Sequence, residues 1–372
     1  MRTHVFFDWI LTTGLAFIVS ACGCVLPQAE SAQAVTKDAL LRNMVRDVIA
    51  PGYQELAVKC HGLTDSVEAF VKTPKQESLD KARQAWVAAL LASRRVQWLQ
   101  TGPIADHEYH SSFFYSKVLA IRIESVVQSS RAIDDSYLGE LGATAKGMFA
   151  LEYLLFDRKG RPPAEGNQST ATFLESFSGA ESPRRGQYVL ALARDLETKA
   201  RQLAGDWAAS GEQSASAKFI AGGQESLNRV VNQLAQFIEQ LAEQRINFII
   251  QLRLPIAPQL DRIEGSSSGT SQQSVAEMVR GVQKLYRGAD GGGLEGYVKH
   301  LNAPLSERLK GQLESAMAAI ESIGAPLEQV VSENPASVQK AQDQTRALEV
   351  LCKADLASTL GVTLTFSSND GD

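Results

Sequence analysis

The sequence predicts an all-α fold, and three observations carry that prediction. Apolar residues recur at three- and four-residue steps over long stretches. The apolar–polar alternation of a half-buried strand is confined to one short run, Val362-Thr-Leu-Thr-Phe366. The interruptions between periodic stretches carry the Pro and Gly that end helices.

The first clear amphipathic helix contains Leu79, Ala82, Ala85, Trp86, Ala89, Leu90 and Ser93, which share one face. A second contains Leu227, Val230, Val231, Leu234, Phe237, Ile238, Leu241 and Ile246. A third contains Leu309, Leu313, Ala316, Met317, Ile320 and Ile323. Ala50-Pro51-Gly52 is expected to interrupt the helix before the first of these, because Pro removes a backbone donor and crowds the preceding turn. Thr101-Gly102-Pro103 closes the long helix after it, and Gly265-Ser-Ser-Ser-Gly269 and 288–293 read as surface loops.

The stretch from Arg158 to Gly179, rich in Gly, Pro, Ser and Thr, is the expected linker between two helical-bundle halves. That places a first half at 36–160, a linker at 161–182, and a second half with a C-terminal tail at 183–372. A Pro-interrupted helix followed by an amphipathic one occurs at Pro51 to Leu99 and again at Pro255 to Tyr286, as an internal duplication would leave it.

Residues 1–21 read as a targeting segment. Arg2 supplies the positive start, a short apolar run spans Trp9 to Val19, and Val19-Ser20-Ala21-Cys22 has the form of a lipobox. The run is short of the roughly 20 residues that span a bilayer. Cys22 is therefore the expected lipidation site, with 22–35 as a small, polar tether. The expected setting is the periplasmic side of a bacterial envelope, with the membrane as partner through the lipid. Gly23 after the Cys favours the outer membrane. The segment removes one positive and one negative charge, so the formal net charge stays at −5. A mildly acidic chain without basic blocks argues against nucleic acid. Beyond Cys22 and Cys24 there remain Cys60 and Cys352, which either bridge the first and last helices or stay as separate buried thiols.

The segment Gly147-Met-Phe-Ala-Leu-Glu-Tyr-Leu-Leu-Phe-Asp157 places one carboxylate, Glu152, inside an apolar helical run. Burying it alone costs several kcal/mol or raises its pKa, so it needs a partner or a task. This segment resembles the signature helix of the imelysin-like family, known for a Gly-x-His-x-x-Glu motif. Gly147 and Glu152 match, and Phe149 stands where the His would be. Two further places resemble that family: Ala50-Pro-Gly-Tyr53 through Trp86 to Thr101-Gly-Pro-Ile104, and the ending Leu360 to Asp372. The resemblance implies two helical halves, a periplasmic setting and a link to iron uptake, with a metallopeptidase label on some members.

A His and a Glu three residues apart on a helix share a face and can grip one metal ion. Phe149 removes half of that pair. Glu152 then pairs with Arg94, Arg95 or Arg122, accepts backbone hydrogen bonds, binds a metal, or recognises a small ligand. Asp106-His107-Glu108-Tyr109-His110 is the densest group of ligand-type residues, able to hold iron or another divalent metal if its imidazoles converge, and otherwise a solvated loop. Asp370 sits in an acidic ending that is either a partial cation site or a frayed terminus. Gly265–Gly269 matches a nucleophile-elbow pattern, but no strand precedes it. Trp86, Trp98, Tyr153 and Phe156 fall at core spacing. The reading that results is a non-catalytic, membrane-tethered protein binding a metal, a metal chelate or an iron-uptake partner near Glu152. The alternatives are a metallopeptidase using Glu152 with His107 or His110, and a structural envelope protein that has lost the site.

Overall fold

Why one long rod forms at the start of the fold follows from how the chain handles Pro51. Thr36 caps the N-terminus, its side chain accepting from Ala39 N–H at 3.2 Å. Helix α1 (Lys37–Asn43) then runs through a wide π turn, Met44–Ile49, into α2 (Ala50–Lys72). In the wide turn Ala50 N–H bonds the Val45 carbonyl, one residue further back than in an α-helix. The expected break at Ala50-Pro51-Gly52 therefore does not occur: the proline sits in the first turn of α2, and the loosened turn before it accommodates the ring. The computed structural model describes residues 35–156, 170–178, 182–251 and 263–365.

Helix α3 (Gln76–Val96) packs against α2. Three shallow turns of helix follow, α4 (Pro103–Asp106), α5 (His110–Phe114) and α6 (Ala120–Gln128), then α7 (Asp135–Glu140) and the fully buried α8 (Met148–Leu155). Short α9 (Thr170–Glu175) precedes α10 (Ser182–Ala208), which lies along α2 and touches α8. By packing, α10 sits with the first group of helices.

After α11 (Ala215–Ala221), which packs on α10 and α1, the second group begins with α12 (Gln224–Glu239), which continues through a π segment, Gln240–Asn247, into α13 (Phe248–Gln251). It is completed by α14 (Ser271–Arg287), α15 (Leu294–Leu301), α16 (Ala303–Glu321), α17 (Leu327–Glu333) and α18 (Pro335–Val350). A third wide turn, Leu351–Leu356, leads to α19 (Ala357–Thr359). The groups join chiefly where α3 crosses α14, with α1 and its wide turn also touching α12, α14 and α15. At that crossing a Cβ on Gly281 would lie only 3.0 Å from Arg95 Cα, so the absence of a side chain sets how closely the helices approach.

There is no strand among the described residues, and the all-α expectation holds. Of the three predicted faces every position is buried except Ala85, which is half-buried. None of the described helices is long and apolar enough to cross a membrane. The targeting segment with Cys22, Pro255 of the internal echo, Asp370 and much of the expected linker lie outside the described residues.

Cys60 and Cys352 are two separate buried thiols, so the bridge between first and last helices is not formed. Cys60 lies on the α2 face that packs on α10, and Cys352 lies in the last wide turn, against α12 and α16. Burial pushes both thiols up to about 12, with Glu197 and Glu349 adding to it. Neither should react with a thiol reagent at pH 8 until the chain unfolds, as alkylation followed by peptide mass spectrometry will show.

Candidate functional site

Helix α8 is buried around its whole circumference, and Glu152 is the one acid among its eight residues. Its entry depends on Gly147, whose φ is +84° and whose missing Cβ leaves room for the Ser112 backbone, with Ser112 Cα only 2.9 Å from where that atom would stand. Trp86 Nε1 donates to the Met148 carbonyl at 2.9 Å, fixing the first turn of α8 against α3. Glu152 is thereby carried into the interior, 7% exposed.

Glu152 is not left uncompensated. Its Oε1 accepts from Ser268 N–H at 3.0 Å and from the Ser268 hydroxyl at 2.6 Å. Hydrogen bonds to an ionised carboxylate are among the stronger ones in proteins. Ser268 belongs to Gly265–Gly269, expected to be a surface loop. That loop instead turns inward, and the Ser268 hydroxyl also lies 2.8 Å from that of Thr270 and 3.1 Å from the Gly265 carbonyl.

Beside Glu152 stands Arg94, a guanidinium with no exposed surface. It donates to Glu264 Oε1 at 2.5 Å and to Gln97 Oε1 at 2.8 Å. Arg245, from the π segment, lies 2.5 Å from the other Glu264 oxygen. Burial pushes Arg94 down to about 10, opposed chiefly by Glu264 and also by Glu152, so it is a cation at neutral pH. Burial alone would raise Glu264, yet Arg245 and Arg94 outweigh it and hold the carboxyl below its usual range. Glu152, Glu264, Arg94 and Arg245 thus form a quartet that ties α3, α8, the π segment and the 263–270 loop together.

Phe149 is part of this arrangement. Arg94 Cζ lies 5.2 Å from the centre of the Phe149 ring and 5.9 Å from that of Phe114. A desolvated guanidinium over an aromatic face is attracted by about 2 kcal/mol. Of the three arginines expected near Glu152, Arg94 alone is there. Arg95 pairs with Glu55 and Glu277, and Arg122 is exposed. Position 94 follows Leu90 by one turn on the buried stripe of α3, which is the sequence signal for its burial. Ser268, Arg245 and Glu264 carried no such signal: Ser268 and Glu264 meet Glu152 and Arg94 across more than a hundred residues of chain, and Arg245 joins them only through Glu264.

The 106–110 group disperses. Asp106 and Glu108 are exposed. His107 Nε2 lies 2.8 Å from Asp206 Oδ2 on α10, and His110 Nε2 lies 3.1 Å from the Gln100 carbonyl. Burial pushes His110 below its ordinary pKa. Among the described residues no three His, Cys, Asp or Glu side chains gather as a metal site.

The family model for imelysin, which carries the label peptidase M75, matches residues 49–353. The chain belongs to the imelysin family. No curated protein matches the sequence at a significant level. An imelysin-like protein from Psychrobacter arcticum 273-4 has a similar solved structure, with a TM-score of 0.70 and 17% identity over 90% of this chain and 98% of that one. A second, from Parabacteroides distasonis ATCC 8503 and named as an iron-regulated protein A precursor, gives 0.69 and 15% over 87% and 94%. At such identities the likeness is one of fold.

The metal that the imelysin signature implies does not fit the residues present. Phe149 offers no lone pair, Glu152 Oε1 already holds two donors, and the Arg94 cation occupies the ground beside it. A divalent ion there would meet a buried like charge, that of Arg94.

Proposed function

We propose that this imelysin-family chain is a lipid-anchored, non-catalytic binding protein on the periplasmic side of the cell envelope, serving iron uptake by engaging a metal chelate or a partner protein. The observation that carries the reading is the Arg94 guanidinium laid on Phe149 next to Glu152. It turns the signature helix from a place where an ion could activate water into an internal tie between helices. Metal-dependent peptide hydrolysis needs a metal-held water and a base. The described residues provide no converging ligand set for one. The iron link is supported by the fold shared with the iron-regulated protein A precursor from P. distasonis.

The test is elemental analysis of untagged protein purified from the periplasm, with calorimetric titration of Fe and Zn into wild type and Glu152→Gln. The expected result is no stoichiometric ion whose binding depends on Glu152, and no cleavage of a fluorogenic casein with added zinc. One equivalent of metal in wild type, absent from Glu152→Gln, would overturn the non-catalytic reading. Unchanged iron accumulation in a deletion strain grown under iron limitation would overturn the uptake role.

A further inference from the structure

The solvent side of α12 carries amides at every fourth position: Gln224, Asn228, Asn232 and Gln236, with Gln240 and Gln244 continuing the spacing into the π segment. The end of the described chain lies across them. Gln224 Nε2 donates to the Leu360 carbonyl at 3.3 Å, and Asn232 Nδ2 donates to the Thr363 carbonyl at 3.1 Å. Asn232 Oδ1 accepts from Thr365 N–H at 2.7 Å, and Gln236 Nε2 donates to the Thr365 carbonyl at 3.4 Å. A four-residue step along an α-helix rises about 6 Å, close to the roughly 6.6 Å of two extended residues, so amide rungs and alternate peptide groups stay in step.

Asn232 makes the most telling contact. Its amide holds the carbonyl before and the N–H after Leu364, the same two groups that a neighbouring parallel strand would engage. The side chain acts as a piece of β-strand built onto a helix. The residues between follow suit: Leu360 and Val362 are buried and Leu364 is half-buried, whereas Gly361, Thr363 and Thr365 are exposed. That alternation is the one strand-like pattern legible in the sequence.

We propose that this face of α12 is an acceptor site for an extended segment of a partner protein with apolar residues at alternate positions, and that the chain's own residues 360–365 hold it closed. The site reads backbone groups, so it tolerates many sequences. The apolar seats demand only the alternation. The resident segment is suited to leave: its bonds to Asn232 and Gln236 are exposed to water, and Gly361, with φ +64° and open space around its α-carbon, is a ready pivot. Gln240 and Gln244 are exposed and extend the row, which suits a longer occupant.

The experiment uses the full chain. Val362→Asp drives the resident segment off its seat, and Thr365→Pro removes the N–H that Asn232 accepts while leaving the core untouched. A fluorescein-labelled peptide of sequence Leu-Gly-Val-Thr-Leu-Thr is the probe, read by anisotropy, with circular dichroism confirming that each variant is folded. Each variant is expected to bind the probe at least tenfold more tightly than wild type, and adding Asn232→Leu should abolish the gain. A folded variant that binds no probe, or binds it equally with Asn232→Leu, overturns the proposal. If wild type instead forms concentration-dependent dimers that Asn232→Leu dissolves, the occupant is a second copy of this chain and the partner reading is overturned.

Discussion

Arg94→Met is expected to lower the free energy of unfolding by about 3–5 kcal/mol, the usual cost of leaving a buried ion-pair network short of one partner. The substitution keeps most of the side-chain volume, so the loss reports charge rather than a cavity. Glu264 would keep Arg245 but lose its bond to Arg94, and Glu152 would lose its adjacent cation. Urea unfolding followed by circular dichroism measures the loss, and a change below about 1 kcal/mol would show that the quartet contributes no more than an exposed pair. The pH dependence follows with a definite sign. In wild type the Glu264 carboxyl is held below its ordinary 4.5, so its contribution is complete above that value and disappears as pH falls through the lower folded one. Without Arg94, burial weighs more heavily on Glu264, and acid unfolding should begin at a higher pH.

Gly147→Ala is expected to cost about 2–5 kcal/mol, combining left-handed backbone strain with overpacking against a neighbouring main chain. The clash is with Ser112 backbone, which cannot swing aside as a side-chain tip would. Gly205→Ala makes the control: it lies inside α10 with nothing within 4 Å of the added carbon, and should stabilise the protein by up to about 1 kcal/mol. Thermal melts of both variants against wild type test the pair. Similar melting temperatures for all three would refute the role assigned to Gly147.

These two positions show what the sequence disclosed and what it withheld. Helical faces were legible because the periodicity is local: Leu79, Trp86 and Leu90 announce a buried stripe without reference to the rest of the chain. Glu152 was legible as a carboxylate that needed company, and Arg94 could be placed among its candidate partners. The hydroxyl and N–H that receive it were not, since Ser268 lies 116 positions away in a loop whose composition reads as surface. The 106–110 group misled for the opposite reason. Its residues are adjacent in sequence, but the turn after Gly102-Pro103 sends the two imidazoles to different neighbours, Asp206 and the Gln100 carbonyl. Pro51 misled as well: a local rule for helix breaking cannot anticipate that the preceding six residues will loosen to admit the ring.

That loosened turn governs how α2 is oriented about its own axis. An α-helix advances about 100° per residue, so the single additional residue accommodated between Met44 and Ile49 sets the rotational phase of the 23 residues after it. With the wide turn in place, Tyr53, Leu56, Cys60, Leu63, Val67 and Phe70 point at α3 and α10. Were one residue removed and the helix tightened, α1 would be rotated by about 100° relative to α2, and Leu40 and Leu41 would leave the side that α2 buries. Six residues near the start of the rod thus set the phase between the buried stripe of α1 and that of α2.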